Sequence, residues 1–474
     1  MSNSIQSTTS VLGQPQESPA KIFAAVRRRE ASLSHLLMAF ISSGLVFMLF
    51  PGTFLGVWNL IQISGRESLA SISPAWIQAH GHAQLFGWIG SFIFGIGFYS
   101  IPKLRDGETR AFGAAWLCWV MWTLGVAMRW SANVYAWEWR ALLPISSVLE
   151  LAAFGIFFRA VSRHRPAPDG TRHRPAPDGT GHRPAASGHR KLEPWIWVVI
   201  SASLGLLLVL IGNAALCVFL AAFGRSPEIP HVLDQRYLAL IGWGFLAPFV
   251  WGFSAKWMTV FLGLKPVRPR LLLPAVGVSF LGIVIASAGS MKVATVFFAV
   301  AACVAIMALR MFEGAERKAK TRGVHPSFPF FVRMAYGWLL VAALLGVSAA
   351  FWDSSGGIWG ASRHALTVGF AAIMVLSVGQ RILPAFAGMR LLWSTNLMFA
   401  ALALLSLGCT LRVSCEVLAY QNYAAWAWHV LPLSALAELA GITAFAINIL
   451  GTFILEPSHE AKQVAVVGIQ QGLG

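Results

Sequence analysis

Charge is scarce in this sequence: Asp, Glu, Lys and Arg make up 12% of its 474 residues, against 57% hydrophobic ones. Soluble domains average roughly a quarter charged residues, so a water-soluble fold of this size is excluded. Cysteine is sparse as well. Cys118, Cys217, Cys303, Cys409 and Cys415 form no CxxC and mostly fall inside apolar stretches, where thiols act as inert packing groups. Only Cys409 and Cys415 are placed to meet, and a disulfide between them is not expected.

What the sequence has in quantity is long apolar runs. A membrane span needs about 20 apolar residues, and twelve stretches qualify: 33–60, 78–102, 111–131, 141–161, 195–223, 236–262, 271–289, 293–311, 330–351, 361–387, 391–412 and 427–454. The expected fold is all-α and polytopic. The net charge of +17 raises the question of nucleic acid, but the basic residues gather in alternate loops, as membrane orientation requires. Arg27, Arg28 and Arg29 precede span one; Lys103, Arg105 and Arg110 follow span two; Lys265, Arg268 and Arg270 follow span six; Arg317, Lys318, Lys320 and Arg322 follow span eight. The intervening loops, such as Trp130 to Trp139 and Trp352 to Arg363, are rich in Trp, Gly and Ser. Both termini are therefore expected in the cytoplasm, and no nucleic-acid partner is expected.

Outside the membrane domain (31–455) the sequence predicts a disordered tail over 1–30, a flexible linker over 162–193 and a cytoplasmic tail over 456–474. The linker carries a nine-residue tandem repeat, Arg163 to Thr171 and again Arg172 to Thr180. Its His164, His173, His182 and His189 sit among Pro, Gly and charge that cannot build a core, so a metal site is not expected there.

Histidines mark the site candidates, because ionisable groups inside a membrane are costly and usually functional. His82-Ala83 recurs as His364-Ala365, an offset of 282 residues. Gly87 and Gly97 recur as Gly369 and Gly379, and Pro102 as Pro384. Leu143-Pro to Glu150-Leu-Ala in span four recurs as Leu431-Pro to Glu438-Leu-Ala in span twelve. Span six fits weakly, with Tyr237 five residues before Gly242 and fifteen before Gly252. Three pseudo-repeated arcs of four helices follow, with sites expected where the repeats meet. The spaced glycines form either a strip for a flat cofactor or ordinary small-residue packing surfaces.

Alternating spans place His80, His82, His364 and His429 in the outer part of the membrane, with His231 in the loop before span six. Neutral imidazole is a common ligand for haem iron and copper. His82 and His364 are the leading iron ligands, with His80 and His429 as candidates for a second centre or for copper. His80 and His82 are about 200° apart on a helix and would not share a metal if both are helical. His35, at the other end of span one, is expected to be structural. Glu150 and Glu438 lie deep within their spans, as proton-relay groups or as partners for a histidine, and with Tyr237 they are the catalytic candidates. Arg363 and Arg236 are placed to pair with haem propionates.

The segments His80-Gly-His-Ala-Gln-Leu-Phe-Gly-Trp88 and His364-Ala-Leu-Thr-Val-Gly369, set in twelve spans, resemble the NnrS family. That family is similar in architecture to the catalytic subunit of haem-copper oxidases and nitric oxide reductases. The resemblance covers roughly residues 30–455. It implies a bacterial inner-membrane protein with haem b (one or two), with copper as a further cofactor, linked to nitric oxide stress. The chain departs from the oxidase pattern, which needs three histidines on spans six and seven: span six offers Tyr237 and no His, and span seven has none. The usual binuclear centre cannot be assembled. Two other readings stand beside a gas-binding haem protein. One is a redox enzyme, a gas reductase or quinol-linked carrier; the other is a metal-free, proton-coupled transporter.

The charge pattern predicts that alkaline phosphatase fused after Asp353 is active in a bacterial host, and that a fluorescent protein fused at the C-terminus lights up. The opposite pair of results would invert the orientation.

Overall fold

The structure, a computed structural model, describes residues 19–104, 112–162 and 193–456. Arg105, Arg110, the tandem repeat with its four histidines and the tail beyond Glu456 lie outside the described residues. Every regular element among the described residues is helical. Twelve helices are long and apolar enough to cross a membrane: Arg27–Arg66, Pro74–Pro102, Phe112–Tyr135, Trp139–Ser162, Pro194–Phe223, His231–Phe261, Pro269–Ser287, Met291–Leu309, Phe328–Trp352, Gly357–Phe386, Thr395–Tyr420 and Ala427–Ile454. They are spans one to twelve of a multi-pass membrane protein.

Among the described residues the first helix covers Pro19–Phe47, so part of the expected tail is helical. Span one is also longer than expected, 40 residues, about 60 Å at 1.5 Å per residue and roughly twice the hydrocarbon thickness. It runs through Pro51 by widening into a π-helical segment, Met48–Phe54. The part beyond, Leu55–Arg66, packs Val57, Leu60 and Ile63 against Cys415, Trp428 and Leu431 of spans eleven and twelve.

The helices close into a ring of three arcs. Span four packs on span five, span eight on span nine, and span twelve on span one, which joins arc to arc. Within each arc the first helix packs on the second and the third on the fourth. Spans two, six and ten lie innermost: 89%, 61% and 67% of their apolar windows are buried, against 33–56% for the other nine. These three helices share a further feature. Each changes from α to π geometry near its matched His or Tyr, at Ala83–Gly90, Leu240–Leu246 and Ala365–Ala372. A π turn holds an extra residue and frees main-chain groups, and such turns gather at functional sites. The threefold repeat, weak in sequence at span six, is thus plain in the backbone.

Four of the spaced glycines serve helix packing. A Cβ on Gly87 would meet Phe47, on Gly97 it would meet Phe157, on Gly369 Trp338, and on Gly252 Val199, at 2.5–2.8 Å. Gly379 has only ordinary contacts, at 3.7 Å and beyond, and Gly242 lines a cavity. The tightest case joins spans five and six, where a Cβ on Gly205 would fall on the carbonyl oxygen of Gly244. Main chain cannot rotate aside as a side chain can, so Gly205→Ala is expected to cost about 2–3 kcal/mol or more. Gly277→Ala, at a position with open space around it, should lie within about 0.5 kcal/mol of wild type or slightly above it. Thermal unfolding in detergent checks both.

Candidate functional site

The inner helices enclose a cavity of about 340 Å³, a size suited to small molecules and cofactors. Leu69, Ile229 and Gly356, from the loops that precede spans two, six and ten, all line it. The cavity therefore sits at the end of the bundle opposite the basic loops. His80, His82, Tyr237, Arg363, His364 and Glu438 line it as well, so most of the site residues read from the sequence converge. Two do not. His429 is exposed at the head of span twelve, and Arg236 turns away to donate to the Ser287 carbonyl oxygen at 3.4 Å. The first turn of span twelve and the helical start of span six point those side chains outward, which loop position alone does not reveal. His35 is exposed near the other end of span one.

In the first arc, His82 Nε2 lies 2.7 Å from Glu150 Oε1, and the ring stacks on Phe86 with centroids 4.3 Å apart. Asn213 Nδ2 donates to Glu150 Oε2 at 3.0 Å, so both carboxylate oxygens are engaged and the residue is 0% exposed. Arg129, 2% exposed, donates through Nη1 to Cys217 Sγ at 2.6 Å. His80, on the other face of the helix as its spacing requires, uses Nδ1 against the Gly52 carbonyl oxygen at 2.8 Å. That carbonyl belongs to the π segment of span one.

In the third arc the partners differ. His364 Nδ1 lies 3.0 Å from the Gly360 carbonyl oxygen and 3.3 Å from Glu416 Oε2. Glu416 in turn pairs with Arg412 Nε at 3.2 Å. Gly360 must be glycine, because a Cβ there would run into the Glu416 carboxylate. Glu438 is the repeat counterpart of Glu150 and is seated in the same way: Gly408 packs on Glu438 and Ser434 as Gly125 packs on Glu150 and Ser146. Yet among the described residues Glu438 takes no hydrogen bond or ion pair, and its buried Oε1 has no partner. The two glutamates thus share a seat and differ in their bonds.

Glu416, Arg412, Arg129, Asp234 and Asn213 were not singled out from the sequence, although the first four line the cavity. A signal was available for two of them. Arg129 and Arg412 stand 283 residues apart, in step with the histidine repeat, and each interrupts an apolar span. The cavity wall also carries buried polar atoms with no hydrogen-bond partner: Trp88 Nε1, Tyr237 Oη, Arg412 Nη1 and Glu438 Oε1. Arg363 makes no hydrogen bond or ion pair among the described residues. Groups left open in this way suit a polar ligand that completes them. Among the described residues no three His, Cys, Asp or Glu side chains gather as a metal-ligand set.

The sequence family described as "Domain of unknown function (DUF8744)" matches residues 261–451. The match takes in His364, Arg412, Glu416 and Glu438 and leaves out His80, His82 and Glu150. No curated protein matches the chain.

Removing the Glu150 carboxylate strands His82 and Asn213 together. Glu150→Ala is expected to cost about 3–5 kcal/mol. Glu150→Gln, which keeps an acceptor for Asn213, should cost clearly less. Unfolding midpoints of the detergent-purified variants measure the difference.

Proposed function

We propose that this chain is a haem protein of a bacterial inner membrane, with both termini cytoplasmic, that binds a diatomic gas, nitric oxide foremost, in the outer cavity. The observation that carries the reading is the state of two imidazoles. His80 and His364 line the same cavity, and each commits Nδ1 to a main-chain carbonyl, leaving Nε2 without a partner among the described residues. Metal-ligating histidines are usually held in this way, with one nitrogen tied to a carbonyl or carboxylate that orients the other. Glu416 beside His364 strengthens that hold.

The donor set suits haem better than copper. Haem iron takes one or two ligands from the chain, whereas a bare copper site needs about three donors, and no such group occurs among the described residues. Arg363 and the free Nη1 of Arg412 are the groups that would receive the porphyrin carboxylates. When bound, the haem supplies an iron centre for the gas. His80 or His364 would supply its one protein ligand, leaving a coordination position for the gas, while the apolar wall would exclude water and Trp88 and Tyr237 would offer donors at the cavity edge. In this reading His82, with Nε2 given to Glu150, is a neighbour of the haem and not its ligand. The NnrS resemblance supports nitric oxide as the gas.

A second reading is a metal-free, proton-coupled transporter of a small anion. It is favoured by three arginines on one cavity, Arg129, Arg363 and Arg412, within an internally repeated fold.

The test is the optical spectrum of detergent-purified protein expressed with ample haem, oxidised and dithionite-reduced, with and without nitric oxide. A Soret band shifted by nitric oxide, lost or displaced in His364→Ala or in His80→Ala and kept in His82→Ala, is the expected result. A colourless wild type would overturn the haem reading in favour of the transporter. Loss in His82→Ala alone would move the ligand to that residue.

A further inference from the structure

The break in the repeat between Glu150 and Glu438 leads beyond the identity of the ligand. Both glutamates sit on the fourth helix of an arc, each pressed by a glycine of the third helix that leaves no room for a Cβ: Gly125 to Glu150 Cγ, 2.9 Å; Gly408 to Glu438 Cγ, 2.5 Å. The side chains are therefore held in similar places. Glu150 is cut off from the cavity and satisfied at both oxygens, by His82 and Asn213. Glu438 lines the cavity with no partner for either oxygen among the described residues.

Among the described residues none of the charged groups that line the cavity beside Glu438 bonds to it. His364 from span ten and Arg412 and Glu416 from span eleven line the cavity together with Glu438. Arg412 is paired with Glu416, and His364 is tied to Glu416 and the Gly360 carbonyl. An ionised carboxylate left without a hydrogen-bond donor inside a membrane costs several kcal/mol, a cost that a retained proton removes. A carboxylic acid in this position has an O–H to donate, in a cavity that also holds unpartnered polar atoms of Trp88, Tyr237 and Arg412.

We propose that Glu438 is the proton-exchange group of the cavity: a carboxylic acid that passes its proton to the bound ligand and regains it from water at the outer end. In that step the O–H bond of Glu438 breaks as a bond from the proton to the ligand's acceptor atom forms. The carboxylate left behind is steadied by Arg412 and His364. No electron moves, and no co-reactant besides water is required. Glu150, the same residue by repeat, does not exchange, because His82 and Asn213 hold it away from the cavity. The transfer itself suits an anionic ligand, which supplies the acceptor atom; to a haem-bound gas, which takes no proton without an electron, the same O–H donates a hydrogen bond.

Infrared difference spectroscopy of the detergent-purified full chain tests it, comparing wild type, Glu438→Gln and Glu150→Gln in H2O and in D2O. The expected result is a protonated-carboxyl C=O band that is absent from Glu438→Gln and present in Glu150→Gln. In wild type this band should shift within minutes of transfer to D2O. If Glu438→Gln removes only a carboxylate band, the group carries no proton and the proposal falls. If it removes a carboxyl band that does not exchange with D2O, the acid is sealed from the cavity and the proposal falls equally. Glu438→Asp, which retains an acid, should restore an exchanging band and shows that loss in the Gln variant is not loss of fold. Failure here is distinct from failure of the haem reading, since a colourless preparation can still show the exchanging band and a haem-loaded one can lack it.

Discussion

The cost of holding ionisable side chains away from water governs this structure. Three arginines, several carboxylates and three histidines line one cavity among helices that cross a membrane, and none could face lipid without a large penalty. The bundle meets the constraint by placing the helices that bear His80, His82, Tyr237 and His364 innermost and surrounding them with nine apolar ones. The ionisable groups of the inner helices then have either a protein partner or the cavity. His82 with Glu150 and Asn213 is the fully satisfied case, and Glu438 is the open one.

Repetition supplies the frame, and departures from it supply the chemistry. The three inner helices each change to π geometry at matched places, and the third and fourth helices of the first and third arcs meet through the same glycine-to-glutamate contact. The arcs then diverge in what they pair. His82 draws its carboxylate from span four, whereas His364 draws its own from span eleven, where the first arc has Asn133 at the corresponding position. That exchange releases Glu438. The second arc offers Tyr237 where its relatives have histidine, which makes the site two-sided instead of threefold.

Close packing also decides how the two histidine faces differ. Gly56 admits the His80 ring, which would otherwise lie 2.6 Å from a Cβ, and the π segment of span one turns the Gly52 carbonyl toward Nδ1. His82, two residues on, faces the interior of its own arc and stacks on Phe86. Two imidazoles in one short motif therefore have separate surroundings: one has a nitrogen open to the cavity, and the other is sealed into a buried acid pair.

The twelve spans, the all-helical class and the repeat linking spans two and four to ten and twelve were legible in the sequence, because length, apolarity and residue spacing in a membrane leave few alternatives. The placement of His80, His82 and His364 near one layer was legible for the same reason, since alternate spans fix depth; that Glu438, read as deep in its span, reaches the same cavity was not. Depth does not fix direction around a helix or the choice among partners at equal depth. Only tertiary packing turned His429 and Arg236 outward, brought Glu416 and Arg412 to His364, gave Asn213 to Glu150 and left Glu438 open. Those outcomes depend on which side chain of a neighbouring helix comes within about 3 Å, a distance set by glycine contacts and π turns between segments hundreds of residues apart.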